Sequence, residues 1–178
     1  GRTSGFNTPT RKIELYSETM LEHGYPPLPE YEEPLVSPES RPDLAEAYPL
    51  ILTCAKHVLF CESQHRNLPG LRRQAREPEV EMHPSAAAER GIATGDWVRV
   101  ATPLGSVRAR ARMNDSLAPE VVCGQHGWWQ ACPEIGAPGY DAFHPDGANY
   151  NLIIGDTAVD PVSGSVPHRA YVCQIYPA

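Results

Sequence analysis

From Ser106 onward, apolar and polar residues alternate without a break. Val107, Ala109, Ala111 and Met113 fall on one side, and Arg108, Arg110 and Arg112 on the other. A period of two marks a half-buried strand. The residues before it are as clearly punctuated. Pro84 suits the first position of a helix, where its missing N–H has no partner to lose. Ala86, Ala87 and Ala88 favour helix without bulk. Gly91 can take the left-handed turn that ends a helix, with Ile92 folding back onto the last turn. Gly95-Asp96 then turns the chain into a strand over Trp97–Val100, and Pro103-Leu104-Gly105 turns it again. So tight a unit, from Met82 to Met113, predicts a small β-barrel rather than an open α/β sheet.

The same pattern divides the rest of the chain. Lys12 to Tyr16 alternates and predicts a strand. Ser17 to His23 predicts a short helix, with Ser17 as N-cap and Gly24 as its stop. Residues 26–49 hold seven prolines (Pro26, Pro27, Pro29, Pro34, Pro38, Pro42 and Pro49), which exclude regular helix and predict an extended connector. The globular part is expected to begin at Tyr48. Leu50-Ile51-Leu52 reads as a short buried strand running into a polar loop, Thr53 to His57. Asn67 to Arg76 reads as a helical turn, Val121 to Cys123 and Ala170 to Tyr176 as strands, and Asn149 to Ile154 as a short element. Residues 124–148 are loop-rich. The fold class predicted is mainly β with short helices. Residues 1–47 form an extended, proline-rich lead-in and residues 48–178 the barrel.

Composition narrows the function. The 178 residues carry a formal net charge of −7, which argues against nucleic acid as a partner, since phosphate binding needs a basic surface. No apolar run approaches the roughly 18 to 20 residues that span a bilayer, so no direct membrane insertion is expected. The chain opens on Gly1, without an apolar leader, and Lys12 to Tyr16 already reads as the middle of a domain. A fragment of a longer protein is therefore expected. The five cysteines (Cys54, Cys61, Cys123, Cys132, Cys173) include no CxxC pair, which argues against a zinc or iron–sulfur site and for reduced, mostly buried thiols. Cytoplasm is the default compartment, and export of a folded protein to the periplasm is the alternative.

Four segments could carry chemistry. Thr53 to His57, with Ser63-Gln64-His65-Arg66-Asn67 downstream, offers hydroxyl, amide and cationic groups suited to an anionic, hydrogen-bonding ligand such as a diphosphate or a pterin edge. A solvated polar loop is the plainer reading. Gln125-His126-Gly127-Trp128-Trp129 could wall a flat heterocycle, with Gly127 permitting close approach, or could be a core histidine with one tryptophan buried. The side chain of Asn149 could match the edge of a pterin or guanine, or bond its own backbone. The Arg108, Arg110 and Arg112 row could bind an acidic partner, or be a solvated strand face. GxxxxGK[ST], GxGxxG and GxSxG are all absent. Seven histidines include no HxH or HxxxH spacing.

In order along the chain, FNTPTRKIELYS (6–17), PLPEYEEP (27–34), YPLILTCAK (48–56), SQHRNLPGLR (63–72), the segment 83–100 and HGWW (126–129) resemble one family. They are similar to the C-terminal molybdopterin-dinucleotide-binding domain of DMSO-reductase-type molybdenum and tungsten oxidoreductases. The branch they most resemble contains polysulfide and thiosulfate reductases and acetylene hydratase. The resemblance implies a double-psi β-barrel that closes over molybdopterin guanine dinucleotide, the molybdenum or tungsten being held by the full-length enzyme. Thr53, Cys54, Ala55, Lys56 and His57 would lie along a pterin and its diphosphate. Ser63, Gln64 and Arg66 would contact the same cofactor, His126 and Trp128 would line the pocket, and Asn149 would bond a pterin edge. Two positions depart from the family pattern. Cys54 stands where Gly or Thr is commoner, and Glu62 where a histidine is expected before Ser-Gln. An acid beside a polyanionic cofactor is unfavourable unless it points away or is paired.

The resemblance implies no catalysis by this chain alone. Its partners would be the other domains of the parent enzyme and an iron–sulfur electron-transfer subunit. Two other hypotheses stand beside it: a free-standing double-psi barrel acting as an interaction or recognition module, and a small metal-dependent hydrolase resting on the histidine count alone.

Overall fold

The computed structural model describes residues 5–157 and 159–178, and the chain divides into two units, Gly1–Glu33 and Pro34–Ala178. In the first, helix α1 (Glu18–Glu22) starts as its sequence predicts. Ser17 caps it by accepting the Met20 N–H at 3.2 Å, and Gly24 follows at φ +79°. The strand predicted over Lys12–Tyr16 does not form. Local bonds take its place: Thr8 Oγ1 donates to the Lys12 carbonyl, and Thr10 N–H donates to the Glu14 carboxylate. A strand needs a partner ladder, and among the described residues this segment pairs with none.

The second unit departs from the expected extended connector near its start. The proline-rich stretch contains a short helix, α2 (Pro42–Ala45). Proline breaks helix interiors, but Pro42 sits in the first turn, where it is tolerated.

Six strands follow: β1 (Leu50–Cys54), β2 (Glu79–Met82), β3 (Trp97–Thr102), β4 (Gly105–Met113), β5 (Val121–Gly124) and β6 (Tyr171–Pro177). They close into a barrel in the order β1-β5-β2-β4-β3-β6. The β1–β5 and β2–β4 pairs are parallel and the others antiparallel. Two parallel pairs set into a closed, otherwise antiparallel barrel make this a double-psi β-barrel. Leu52, Val80, Met82, Val98, Val100, Val107, Val122 and Val172 fill its interior without solvent contact. Burial of each such side chain contributes about 1.5–3 kcal/mol.

The Met82–Met113 unit forms as its spacing predicts. Helix α4 (Pro84–Ala88) begins on Pro84. Gly91 follows at φ +64°, and the Ile92 N–H returns to the Ala87 carbonyl at 3.0 Å. Pro103 and Leu104 make the hairpin turn between β3 and β4. The arginines of β4 face outward, where the chain's own groups occupy them. The guanidinium carbons of Arg108 and Arg110 lie 3.9 and 4.1 Å from the centre of the Trp97 ring. Arg110 pairs with Glu77, Arg112 with Glu79 and Glu81, and Arg108 with Asp146.

Two departures bear on the site. Thr53 and Cys54 belong to β1 rather than to a loop, paired in register with Cys123 and Gly124 of β5. Strand β2 went unmarked in the sequence. Because β1 and β5 run parallel and end level, their outgoing connections leave the same rim side by side. One spans residues 55–78 and contains α3 (Pro69–Arg72); the other spans 125–170. Both segments with site chemistry lie on these two connections.

Candidate functional site

Arg66 joins the two connections. It is 2 % exposed. Its Nη1 donates to the carbonyls of Glu62 and Gln64 at 2.5 and 3.0 Å, and its Nη2 to the carbonyl of His126 at 3.0 Å. The backbone N–H of Arg66 donates to Gln130 Oε1 at 3.0 Å. Its guanidinium lies over the rings of Phe60 and Trp128, at 4.1 and 4.9 Å. Burial, and then the charge of Arg72, lower its pKa to about 10, so it stays a cation at neutral pH. Trp128 is buried in a small apolar cluster with Phe60 and Ala148. Neither Arg66 Nε nor Trp128 Nε1 has a hydrogen-bond partner among the described residues.

Gly127 lets the loops touch. Its φ is +81°, and a Cβ there would lie 2.6 Å from the Ser63 Cβ. Ser63 is half-buried against it, while Gln64 is exposed.

Above this clip runs a groove. Lys56 Nζ lies 2.8 Å from one Glu62 carboxylate oxygen, and His126 Nε2 lies 3.2 Å from the other. The Lys56 hydrogen bond, then that of His126, lowers the Glu62 pKa. The same bond to Glu62 raises the pKa of Lys56. A hollow of about 220 Å³ on one side is lined by Cys54, Glu62, His126, Tyr150, Asn151 and His168, among others. A second, of about 260 Å³, is lined by residues including Ala55, Lys56, His57, Arg112 and Gln125. Burial raises the pKa of the Cys54 thiol, and raises that of the Tyr150 hydroxyl further, so both stay neutral. His57 packs on Phe60 at 5.0 Å and accepts the Leu59 N–H at Nδ1.

Of the residues named from the sequence, the structure gathers Cys54, Ala55, Lys56, His57 and His126 at the groove. Thr53 is half-buried in β1. Arg66 and Trp128 lie beneath the loops. Asn149 is buried and its amide is spent locally: Nδ2 donates to the Ala142 carbonyl at 2.7 Å, and Oδ1 accepts the Asn151 N–H at 3.1 Å. The exposed Asn151 lines the groove instead, with Tyr150 and His168. The Asn-Tyr-Asn spacing held a signal for this, because the first asparagine of such a pair tends to cap the turn and leaves the second free.

The donor set suits a polyanion with a flat, amide-rich end. Lys56 supplies positive charge, His126 a ring nitrogen, Gln125 and Asn151 supply amides, and Tyr150 and Ile154 supply an apolar wall. The acid in the groove, Glu62, is neutralised by its two partners. These residues fit a dinucleotide cofactor.

Comparison with known proteins agrees. Residues 50–172 match the family model of the Molydopterin dinucleotide binding domain. The chain is 37 % identical over 180 residues to the dopamine dehydroxylase of Eggerthella lenta, covering 98 % of this chain and 17 % of that protein. It is 38 % identical over 134 residues to the acetylene hydratase of Syntrophotalea acetylenica, covering 73 % of this chain and 18 % of the relative. The solved acetylene hydratase from Pelobacter acetylenicus superposes with a TM-score of 0.78 at 29 % identity, over 98 % of this chain and 24 % of that one. The chain thus spans about a sixth of the length of these curated relatives. The cofactor of this family is molybdopterin guanine dinucleotide. By family match, barrel topology and groove chemistry together, the chain belongs to the molybdopterin-dinucleotide-binding domains of the DMSO-reductase-type enzymes.

Proposed function

We propose that this chain helps hold molybdopterin guanine dinucleotide as one domain of a longer molybdenum or tungsten oxidoreductase. In this reading residues 48–178 form the cofactor-binding barrel and residues 1–47 lead into it from a preceding domain. The observation that carries the proposal is the meeting of Lys56 and His126 at the rim where the parallel strands β1 and β5 end. Lys56 and His126 hold the diphosphate. Gln125 and Asn151 offer amide groups to the heterocyclic edge, and Arg66 and Gly127 keep the two loops at a fixed separation. Once bound, the cofactor supplies electron transfer at its metal, while the chain binds, orients and shields it. The other domains of the parent protein complete the site, and an iron–sulfur subunit serves as the electron partner.

The Arg108–Arg112 row, which would serve a free-standing interaction module, is occupied by Glu77, Glu79, Glu81 and Asp146. The test is cofactor content in the full-length protein. Lys56→Ala combined with His126→Ala is expected to reduce both bound metal and the GMP released by acid hydrolysis. Wild-type content of both in the double variant would refute the assignment.

A further inference from the structure

Glu62 stands at φ +48° and His65 at φ +72°, both in the left-handed region that non-glycine residues seldom adopt. Arg66 keeps the loop in this shape by bonding the carbonyls of Glu62 and Gln64 from below, and it ties the loop to His126 through a third carbonyl. With its backbone held, Glu62 places its carboxylate between Lys56 Nζ and His126 Nε2. The side chain is 51 % exposed, so burial does not drive it there. Its placement follows from the clamp below and the two donors beside it. One carboxylate thereby engages the two groups in the groove best suited to a phosphate.

We propose that Glu62 is an internal counter-anion, whose carboxylate occupies the Lys56 and His126 donors that a diphosphate takes over on binding. The proposal rests on reading the groove as the diphosphate's seat. Binding is then an exchange of anions. A diphosphate carries at least two negative charges at neutral pH and displaces the single charge of Glu62. A monoanion gains nothing by the exchange. Glu62 thereby makes the groove selective for multiply charged groups, and its half-exposed side chain can swing out without disturbing the barrel.

The test follows the Lys56 and His126 side-chain signals by NMR in the 178-residue chain, titrated with inorganic pyrophosphate and separately with acetate. In the wild type, pyrophosphate is expected to move both signals and acetate neither. Glu62→Gln is expected to bind pyrophosphate about fivefold more tightly, the scale of an exposed ion pair with a hydrogen bond beside it, and to gain a response to acetate. Glu62→Gly, which suits the left-handed backbone and removes the carboxylate, is expected to show the same gain and decides the matter should the Gln variant not fold. If pyrophosphate moves both signals but neither variant binds it more tightly, the groove is an anion seat and Glu62 does not guard it. If neither signal responds in any of the proteins, both this inference and the assignment of the groove fail.

Discussion

The guanidinium of Arg66 lies 4.9 Å from the centre of the Trp128 ring, and that of Arg72 reaches the same ring at 4.9 Å. Two buried cations therefore share one indole. Each is also bonded to backbone carbonyls, Arg72 to those of Arg66, Arg76 and Gln130. The tryptophan of the HGWW segment thus acts as the spacer about which the two site loops are assembled. A planar fork is needed to reach Glu62, Gln64 and His126 at once, and a lysine cannot supply it. Arg66→Ala and Arg66→Lys are both expected to lower stability by about 3 kcal/mol, measured as the urea unfolding midpoint. A lysine variant as stable as wild type would show that charge alone suffices.

Gly127 and Gly136 separate backbone strain from crowding. Both have positive φ, at +81° and +65°, but only Gly127 has a neighbour where a Cβ would go. Gly136→Ala is expected to cost about 1 kcal/mol, the left-handed penalty alone. Gly127→Ala adds a collision with Ser63 and is expected to cost about 3 kcal/mol. Thermal unfolding of the two variants side by side measures the difference, and equal losses would mean the loops part without cost.

Asn149 and Asn151 should divide stability from binding. Asn149→Ala removes two local hydrogen bonds at a buried position and is expected to cost about 1–2 kcal/mol. Asn151→Ala, at an exposed position, is expected to change stability by less than about 0.5 kcal/mol while lowering cofactor retention in the full-length protein. Denaturant unfolding and metal content, measured on both variants, check the division.

His57 predicts a dependence on pH. Burial, and then the charge of Arg66, lower its pKa from the ordinary value. An unfolded histidine titrates near 6.5, so between the folded value and about 6.5 the unfolded chain binds more protons. The stability contributed is full above about pH 6.5, falls as pH drops towards the folded value, and levels off below it. Protonation of Nδ1 would also remove the acceptor of the Leu59 N–H. His57→Phe is expected to flatten the profile below about pH 6.5, followed between pH 7.5 and pH 5.5. Unfolding free energies across that range decide it; an unchanged slope would assign the dependence to other groups.

Legibility followed the range of the interactions. Helix α4 could be read because Pro84, three alanines and Gly91 act within about two turns of each other. Strand β4 could be read because its alternation runs through almost the whole of its nine residues. Strand β2 could not: it has four residues, two of them glutamates, and its identity comes from pairing Glu79 with Arg110 and Val80 with Gly124. The Lys12–Tyr16 pattern shows the converse, since alternation without a partner strand does not make a ladder.

The amino-acid order by itself determined the barrel class, the family, the two loops that carry the site and the departure at Glu62. All of these rest on local patterns or on residue types in sequence. Only the tertiary structure decided which residues face the groove. It turned Arg66 and Trp128 inward as a clip, spent Asn149 on a turn, left Asn151 at the rim, and set Glu62 between Lys56 and His126. The physical reason is distance along the chain. Arg66 reaches His126, and Glu62 meets it, across more than half a hundred residues, and no local pattern encodes which groups a barrel's closure will bring together.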